Sequence, residues 1–417
     1  MSGSTNRPKQ KDLASLSARL ACGLPLPYNQ GMSNLIAAVV GTGFIGPVHV
    51  EGLRRAGVEV AGIAGSSPEK SSIAARQLGL PLAYPDLNAI LADPRVDVVH
   101  ITSPNHLHFE QTASVIEAGK HVICEKPLAM DSAESASLIR LAESNGVAAA
   151  VNYNIRYYPL SLESAERCRQ GQTGELFHIT GSYAQDWLFH PTDFNWRVLD
   201  DQGGELRAIA DIGTHWLDLI QFISGQKVIA VCADLATVYP QRTMPLGPAE
   251  TFTTPLGEER PTKTINVTTE DFGCVLLRFD SGAKGVLWVS QVDAGRKNCL
   301  QYEIAGSKQS LRWNSERPNE LEIGHRDSAN QILHRDPALL TDLANTAVSY
   351  PGGHNEGFGD SFKQLFKAFY SSIESGKFQD TPTYPTFYDG HRELLLCEAI
   401  LKSHRMQRWI EPGATNQ

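Results

Sequence analysis

No surplus of basic residues marks this chain. Lys and Arg number 37 against 46 Asp and Glu, a formal net charge of −9. Nucleic-acid binding normally shows as a basic excess, so no nucleic-acid partner is expected. No apolar run approaches the length that spans a bilayer, so no membrane partner is expected either. A long apolar leader and a twin arginine are also missing. The seven cysteines (Cys22, Cys124, Cys168, Cys232, Cys274, Cys299, Cys397) are odd in number, and none forms a C-x-x-C pair. They read as reduced thiols of a cytoplasmic protein. His106 and His108 flank Leu107 without a Cys or carboxylate at metal spacing, so no metal site is expected. No internal repeat is found. What remains is an ordinary soluble composition, 41% apolar and 20% charged, in 417 residues, enough for two domains.

Met1–Gly31 carries Gly, Ser, Pro and mixed charge, and nothing follows Asp12–Ala21 that would bury it as a helix. A flexible or loosely docked tail is expected over 1–33, with Met32 fitting an extension from an upstream start. From Leu35 the pattern becomes regular. Leu35–Val40 is a continuous apolar run, as in a strand buried on both faces. A helix to about Ala56 follows, then strand Val58–Ala64 and helix Pro68–Leu78. Strand Val96–Ile101, helix His108–Gly119, strand His121–Cys124, helix Ser132–Asn145 and strand Val147–Val151 continue the alternation. That rhythm predicts a doubly wound parallel sheet.

After about Asn154 the rhythm changes. Helix Pro159–Gly171 precedes strand candidates Glu175–Ala184, Val228–Ala236, Phe272–Phe279, Gly285–Val292, Cys299–Ile304 and Leu311–Asn314. Turns such as Asp280-Ser281-Gly282 separate them, which predicts a mostly antiparallel sheet. Tyr239–Thr268 is rich in Pro, Thr and Gly and reads as a long loop. Helices Phe358–Glu374 and Tyr388–Ser403 close the chain.

Chemistry concentrates at four places. Gly41-Thr42-Gly43-Phe44-Ile45-Gly46 is a G-x-G-x-x-G loop between the first strand and its helix, the context in which this motif binds a dinucleotide. Gly41 permits the tight turn, Gly43 admits a pyrophosphate to the backbone, and Gly46 lets helix and strand pack. Phe44 and Ile45 carry the loop to the positive end of the helix. The second strand ends Ala64-Gly65-Ser66-Ser67, without the carboxylate that binds the ribose 2′-hydroxyl of NAD. Ser66 and Ser67, with Lys70 near, would accommodate a 2′-phosphate, so NADP is favoured within the NAD(P) class. The serines also suit a helix cap. After the third expected strand come Ser103, Pro104, Asn105 and His108, candidates to line nicotinamide and ribose. A histidine here has a capping or packing role open to it as well.

The stretch His121–Leu128 (HVICEKPL) ends a buried strand with Glu125, Lys126 and Pro127. Ligands sit beyond the carboxyl ends of strands in doubly wound sheets, so Lys126 is the first candidate for chemistry. Alone, the tripeptide reads equally as a surface ion pair before a turn proline. Later, Asp211 and His215 stand four apart, so a helix places them on one face, where the carboxylate can orient the imidazole as an acid/base. In isolation such a pair is more often structural.

In combination, G-T-G-F-I-G, E-K-P and D-I-G-T-H, in this order and spacing, resemble the Gfo/Idh/MocA oxidoreductase family. The resemblance runs from about Leu35 to Pro412, and takes in Asn105–His108, Asn154–Tyr157 and Arg408-Trp409-Ile410. It implies an NAD(P)-binding Rossmann domain over 34–154. A C-terminal α/β domain over 155–417 would carry a large, mostly antiparallel open sheet through which homodimers or homotetramers assemble. It further implies hydride transfer to or from a secondary alcohol of a sugar or cyclic polyol. Lys126 would be the active-site lysine, His215 the acid/base supported by Asp211, and Glu125 would help hold the nicotinamide end beside a cis Lys126–Pro127 peptide.

Two departures stand out: the missing second-strand acid, and Arg207 in a stretch expected to be small and apolar. Arg207 is a candidate substrate contact, or a partner of Glu205 or Asp211. Arg156, Trp187, Arg197 and His354 are further substrate candidates, with packing roles about equally open. Two other functions stay open: an NAD-dependent glycosidase acting by transient C3 oxidation and elimination, and a non-catalytic dinucleotide sensor. The joint presence of Lys126, Asp211 and His215 argues against the sensor.

Overall fold

The computed structural model describes residues 33–246, 261–378 and 380–413. The expected tail lies outside them, except for Ser33. Six strands, β1 (Ile36–Val40), β2 (Glu59–Ala64), β3 (Leu82–Tyr84), β4 (Val98–Ile101), β5 (His121–Cys124) and β6 (Ala149–Val151), form a parallel sheet in the order β3-β2-β1-β4-β5-β6. Its central strands carry small and β-branched residues such as Ala37, Ala38, Val39, Val98 and Val99, all fully buried. Helices on both faces remove the sheet from water, which is why these strands read as unbroken apolar runs. β3 was not expected. It is an edge strand of three residues between Pro81 and Pro85, too short to show a pattern, and prolines are tolerated only at such edges.

Ten further strands follow: β7 (Leu176–Ala184), β8 (Val228–Ala236), β9 (Gln241–Pro245), β10 (Thr262–Asn266), β11 (Phe272–Phe279), β12 (Lys284–Ser290), β13 (Cys299–Gly306), β14 (Ser310–Asn314), β15 (Glu320–Gly324) and β16 (Gln331–His334). Eight of them make a second sheet in the order β16-β15-β14-β13-β7-β12-β11-β8, antiparallel except for the β7–β12 pair. In β11, Val275, Leu277 and Phe279 are buried while Cys274, Leu276 and Arg278 are exposed. That alternation marks one covered and one open face. Trp216, Leu217 and Ile220 of helix Thr214–Ser224, with Leu396 and Ile400 of helix Phe387–Met406, fill the covered side. On the open side Leu276 pairs with Val286, and both are exposed.

The expected loop Tyr239–Thr268 is corrected in part. Its two ends pair as an antiparallel ribbon, β9 with β10, in which Arg242 faces Ile265. Residues 247–260 between them lie outside the described residues. Cross-strand pairing across that gap is a long-range property that local periodicity does not carry.

Helix Phe358–Glu374 returns to the first sheet and packs Phe362 and Phe366 against Gly52 of helix Ile45–Ala56. An added Cβ at Gly52 would come within 2.9 Å of Phe366, so close helix approach requires glycine there.

Arg156, read from the sequence as a substrate candidate, is instead a buried structural cation. Its guanidinium donates through Nε to Asp218 at 2.7 Å and through Nη2 to both Asp218 and, at 2.9 Å, Asp389. Its charge also lies 4.9 Å from the centre of the Phe222 ring. These contacts join the Asn154–Tyr157 turn to both helices that cover the second sheet. Removing one partner of a buried pair leaves an uncompensated charge, a cost of about 3–5 kcal/mol. Arg156→Met is therefore expected to lower the unfolding free energy by about 3 kcal/mol, measured by urea denaturation. An unchanged midpoint would show that the pair contributes nothing.

Candidate active site

The carboxyl ends of β1, β4 and β5 meet the start of the second unit. Gly41 ends β1 at φ 114, where a Cβ would sit 2.5 Å from Thr102 Oγ1. A Cβ on Gly46 would fall 2.1 Å from the Gly41 carbonyl oxygen. A Cβ on Gly43 would meet nothing within 4 Å, so the space over this residue is open. No side chain caps helix Ile45–Ala56, and its first turn holds no acid. Its positive end therefore faces that open space, and Phe44 beside it is exposed. These residues fit a dinucleotide pyrophosphate.

At the end of β2, Ser67 Oγ accepts from the Lys70 amide at 3.3 Å and caps the helix, while Ser66 Oγ accepts from Lys70 Nζ at 3.0 Å. Ser66 and Lys70 are both exposed. Beyond β4, Ser103 Oγ donates to Gln111 at 2.6 Å, and Asn105 donates to the Gly203 carbonyl at 3.1 Å. The His108 ring lies between the Pro127 carbonyl (2.6 Å) and the Ser103 carbonyl (2.9 Å). It thereby sits between the loop carrying Pro104 and the turn carrying Lys126.

Lys126 leaves β5 through a cis Lys126–Pro127 peptide. Its Nζ donates to the Asp211 carbonyl at 2.7 Å and to Asp211 Oδ1 at 2.9 Å. Arg197 Nε lies 3.1 Å from the same oxygen, and Gln291 Nε2 donates to Oδ2 at 2.8 Å. Burial raises the Asp211 carboxyl, but the Lys126 and Arg197 charges more than offset it and hold Asp211 well below the usual carboxylate range.

Asp211 therefore does not orient His215 as the four-residue spacing predicted. The chain is wound as a π-turn over Ile209–Gly213 and becomes α-helical at Thr214. Such turns often accompany functional sites. The carboxylate is held by Lys126, Arg197 and Gln291, and His215 Nδ1 is buried without a hydrogen-bond partner. Tyr153 and Tyr183 fix the imidazole by ring contacts, with centroids 5.7 and 6.3 Å away. Burial, then the Lys126 charge, lowers His215 to about 3, so the ring is neutral at pH 7.

Glu125 takes its hydrogen bonds from other residues. Its Oε1 accepts from His49 Nε2 at 3.0 Å and from Asn152 Nδ2, and its Oε2 accepts from the Lys126 amide at 3.2 Å. Burial alone would raise it, but His49, Lys126 and Asn152 bring it to about 2.

Among the other substrate candidates, Arg197 belongs to the cluster and its guanidinium stacks 4.4 Å from the Trp196 ring centre. Trp187 donates to Gln185 at 2.7 Å and packs against Leu188 and Val198. Arg207 is fully buried and pairs with neither Glu205 nor Asp211. It donates to Asp271, while its amide donates to both oxygens of Glu270. His354 is not brought to the site either. Its carbonyl accepts from Arg335, and Asp360, six residues on, pairs with Arg55 at the far end of helix Ile45–Ala56. Gln291, His49 and Asn152 were missed. Each is an unremarkable polar residue in its local stretch, and only strand ends and helix packing bring them here.

Residues 35–153 match the family model described as an oxidoreductase family with an NAD-binding Rossmann fold, and residues 162–312 match the model of the Gfo/Idh/MocA C-terminal domain. The chain belongs to the Gfo/Idh/MocA oxidoreductase family. It is 30% identical over 401 residues to levoglucosan dehydrogenase of Pseudarthrobacter phenanthrenivorans, covering 91% of this chain and 98% of that one. Myo-inositol 2-dehydrogenase of Thermotoga maritima is 25% identical over 378 residues, covering 89% and 97%. A solved structure of levoglucosan dehydrogenase with NADH and levoglucosan superposes with a TM-score of 0.81 at 28% identity, over 91% of this chain and all of that one. Among the described residues no cluster of His, Cys, Asp and Glu is placed to hold a metal, and no helix is long and apolar enough to cross a membrane.

The low value at His215 has a consequence for stability. An unfolded histidine takes up its proton near pH 6.5, whereas this one resists to about 3. Between those values the unfolded chain binds more protons, so stability falls as pH falls. Carboxylates held low in the fold, Glu125 and Asp211, act in the same direction only below about pH 4.5. His215→Asn is expected to lose less stability than the parent between about pH 6.5 and 4.5, measured by urea unfolding. Parallel profiles would show that His215 titrates normally.

Proposed function

We propose that this protein is an NAD(P)-dependent dehydrogenase or reductase acting on a secondary alcohol or ketone of a sugar, glycoside or cyclic polyol. One observation carries the reading. Lys126, held by Asp211, and a neutral His215 converge at the carboxyl edge of the parallel sheet, beside the open glycine loop. The names of the relatives, a levoglucosan and a myo-inositol dehydrogenase, support the substrate class.

When bound, nicotinamide supplies the hydride acceptor or donor. His215 is in the form that accepts a proton, and takes it from the reacting hydroxyl during oxidation. Lys126 donates a hydrogen bond to the same oxygen and stabilises the negative charge that develops there. Asp211 keeps the ammonium in place, and Arg197 limits how far the carboxylate can turn. In reduction the proton moves back from His215 to the oxygen. Cyclic polyols, aldoses and anhydrosugars, assayed with both cofactors by nicotinamide absorbance, provide the substrate for the tests. Lys126→Ala and His215→Ala are each expected to lower kcat by about 10²–10³, with dinucleotide affinity by fluorescence largely retained. Near-parental turnover in either variant would remove that residue's role.

Ser66 and Lys70 at the exposed end of β2 support NADP over NAD. A 2′-phosphate there would accept from the ammonium and the hydroxyl, and no carboxylate ends the strand to repel it. Ser66→Asp is expected to shift the kcat/KM ratio towards NAD by about tenfold or more. No shift would leave NAD as the cofactor.

The same reading includes self-association through the open face of the second sheet. Leu276 and Val286 lie exposed side by side there, with Trp409 stacked on Arg278 at 4.1 Å. Leu276→Asp is expected to reduce the mass by light scattering to that of one chain. A parent that is already monomeric removes the interface.

A further inference from the structure

Behind Glu125 runs a file of buried polar side chains that the reaction described above does not use. His49 belongs to helix Ile45–Ala56, His100 to β4 and Tyr370 to helix Phe358–Glu374. His49 Nε2 lies 3.0 Å from Glu125 Oε1, and His49 Nδ1 lies 2.9 Å from His100 Nδ1. His100 Nε2 lies 3.0 Å from the Tyr370 hydroxyl. Neither histidine has any exposed surface, and Tyr370 is 2% exposed. Phe362 and Phe366 pack against the imidazoles, with centroids 5.6 Å from His49 and 4.8 Å from His100.

Counting donors orders the protons. The Glu125 carboxylate has no hydrogen to give, so His49 donates from Nε2. A neutral His49 then accepts at Nδ1, and the contact between the two Nδ1 atoms requires His100 to donate. A neutral His100 accepts in turn at Nε2, and the Tyr370 hydroxyl supplies that hydrogen. Burial holds His100 well below the ordinary histidine value, in agreement with a neutral ring. All three bonds are satisfied and point the same way. With His49 doubly protonated, the His49–His100 and His100–Tyr370 bonds reverse and the Tyr370 hydrogen is left seeking an acceptor in an apolar setting, a costly arrangement.

We propose that Tyr370, His100 and His49 are positioning residues for Lys126: their one-way file of hydrogen bonds fixes the Glu125 carboxylate, which accepts from the Lys126 amide and faces its charge. The inference rests on the reading of Lys126 as the residue at the reacting oxygen. It gives a role to a tyrosine 244 positions after Lys126, on a helix that follows the second sheet. The file works by restraint. Without a donor at His49 Nε2, Oε1 keeps only Asn152, and the carboxylate can turn away from the lysine backbone.

Two measurements test this on the full chain. Long-range nitrogen-15 correlation spectra of histidine-labelled protein, assigned with His49→Gln and His100→Asn, report the tautomers and need no turnover. His49 is expected as the Nε2–H form and His100 as the Nδ1–H form, the less common one for a free imidazole. Tyr370→Phe is expected to release His100 from that form. The opposite tautomers, or spectra indifferent to Tyr370→Phe, overturn the file.

Kinetics on the best polyol from the panel then test positioning. His100→Leu and Tyr370→Phe are expected to lower kcat by about three- to tenfold, with KM and NADH affinity unchanged. His100→Asn, whose amide nitrogen replaces the Nδ1 donor, is expected to recover most of the loss. Values of kcat within twofold of the parent, with only the melting temperature lowered, make the file core packing and overturn the proposal. If His100→Leu does not fold, Tyr370→Phe and His100→Asn decide. A parent that turns over no polyol defeats the functional reading, and the tautomer spectra still decide the file.

Discussion

Lys126 and Asp211 lie 85 positions apart, and the ion pair between them is where the two halves of the molecule meet in chemistry. Each depends on the other's scaffold. Lys126 projects from the carboxyl end of a parallel strand, and Asp211 from a π-turn at the head of a helix that covers the second sheet. Both side chains are nearly enclosed, with exposures of 12% and 15%. An ammonium or a carboxylate alone at such depth would be strongly disfavoured. Together they satisfy each other, and Arg197 and Gln291 occupy the rest of the carboxylate. His215 stands beside them as a neutral ring whose Nδ1 has no hydrogen-bond partner.

Around that pair the molecule repeatedly places charge in its interior and compensates it locally. Asp271 receives Arg207 and Arg242 on one oxygen and the Val238 and Tyr239 amides on the other. Arg242 also donates to the Leu188, His190 and Asp193 carbonyls, so the β9–β10 ribbon is tied to the segment that carries Trp187 and Arg197. Glu270, pushed up to about 7 by burial, accepts the Arg207 and Ile209 amides at the entry to the π-turn. The π-turn that carries Asp211 is therefore tied into a polar network alongside its apolar contacts. Such networks are costly when half satisfied and rigid when complete.

Much of this was legible along the chain. Apolar runs bounded by glycines and caps placed the β1, β2, β4, β5 and β6 strands to within a few residues, because a strand buried on both faces has little choice of composition. The alternation of β11 and β12 followed from one dry and one open face. Other elements were hidden. β3, β15 and β16 are short, and β9 and β10 are joined only by pairing across 247–260. Arg156, Arg207 and His354 looked like ligands because a cation or imidazole carries no local sign of where its partner lies. Asp218, Asp389 and Asp271 are 62, 233 and 64 positions from the arginines they neutralise.

The order of motifs along the chain by itself determined the fold class and the glycine loop, and singled out Lys126, Asp211 and His215 as candidates. These depend on short-range geometry: a turn that only glycine closes, a strand that delivers its last residues to a sheet edge, a helix start. The partners within the set were decided by tertiary structure alone. Spacing paired Asp211 with His215, whereas folding brings Lys126, Arg197 and Gln291 to the carboxylate first and leaves the imidazole to its aromatic neighbours. Four residues of helix fix direction. Which of several groups an ion binds is decided by charge and distance, and those are set only when distant strands and helices are packed.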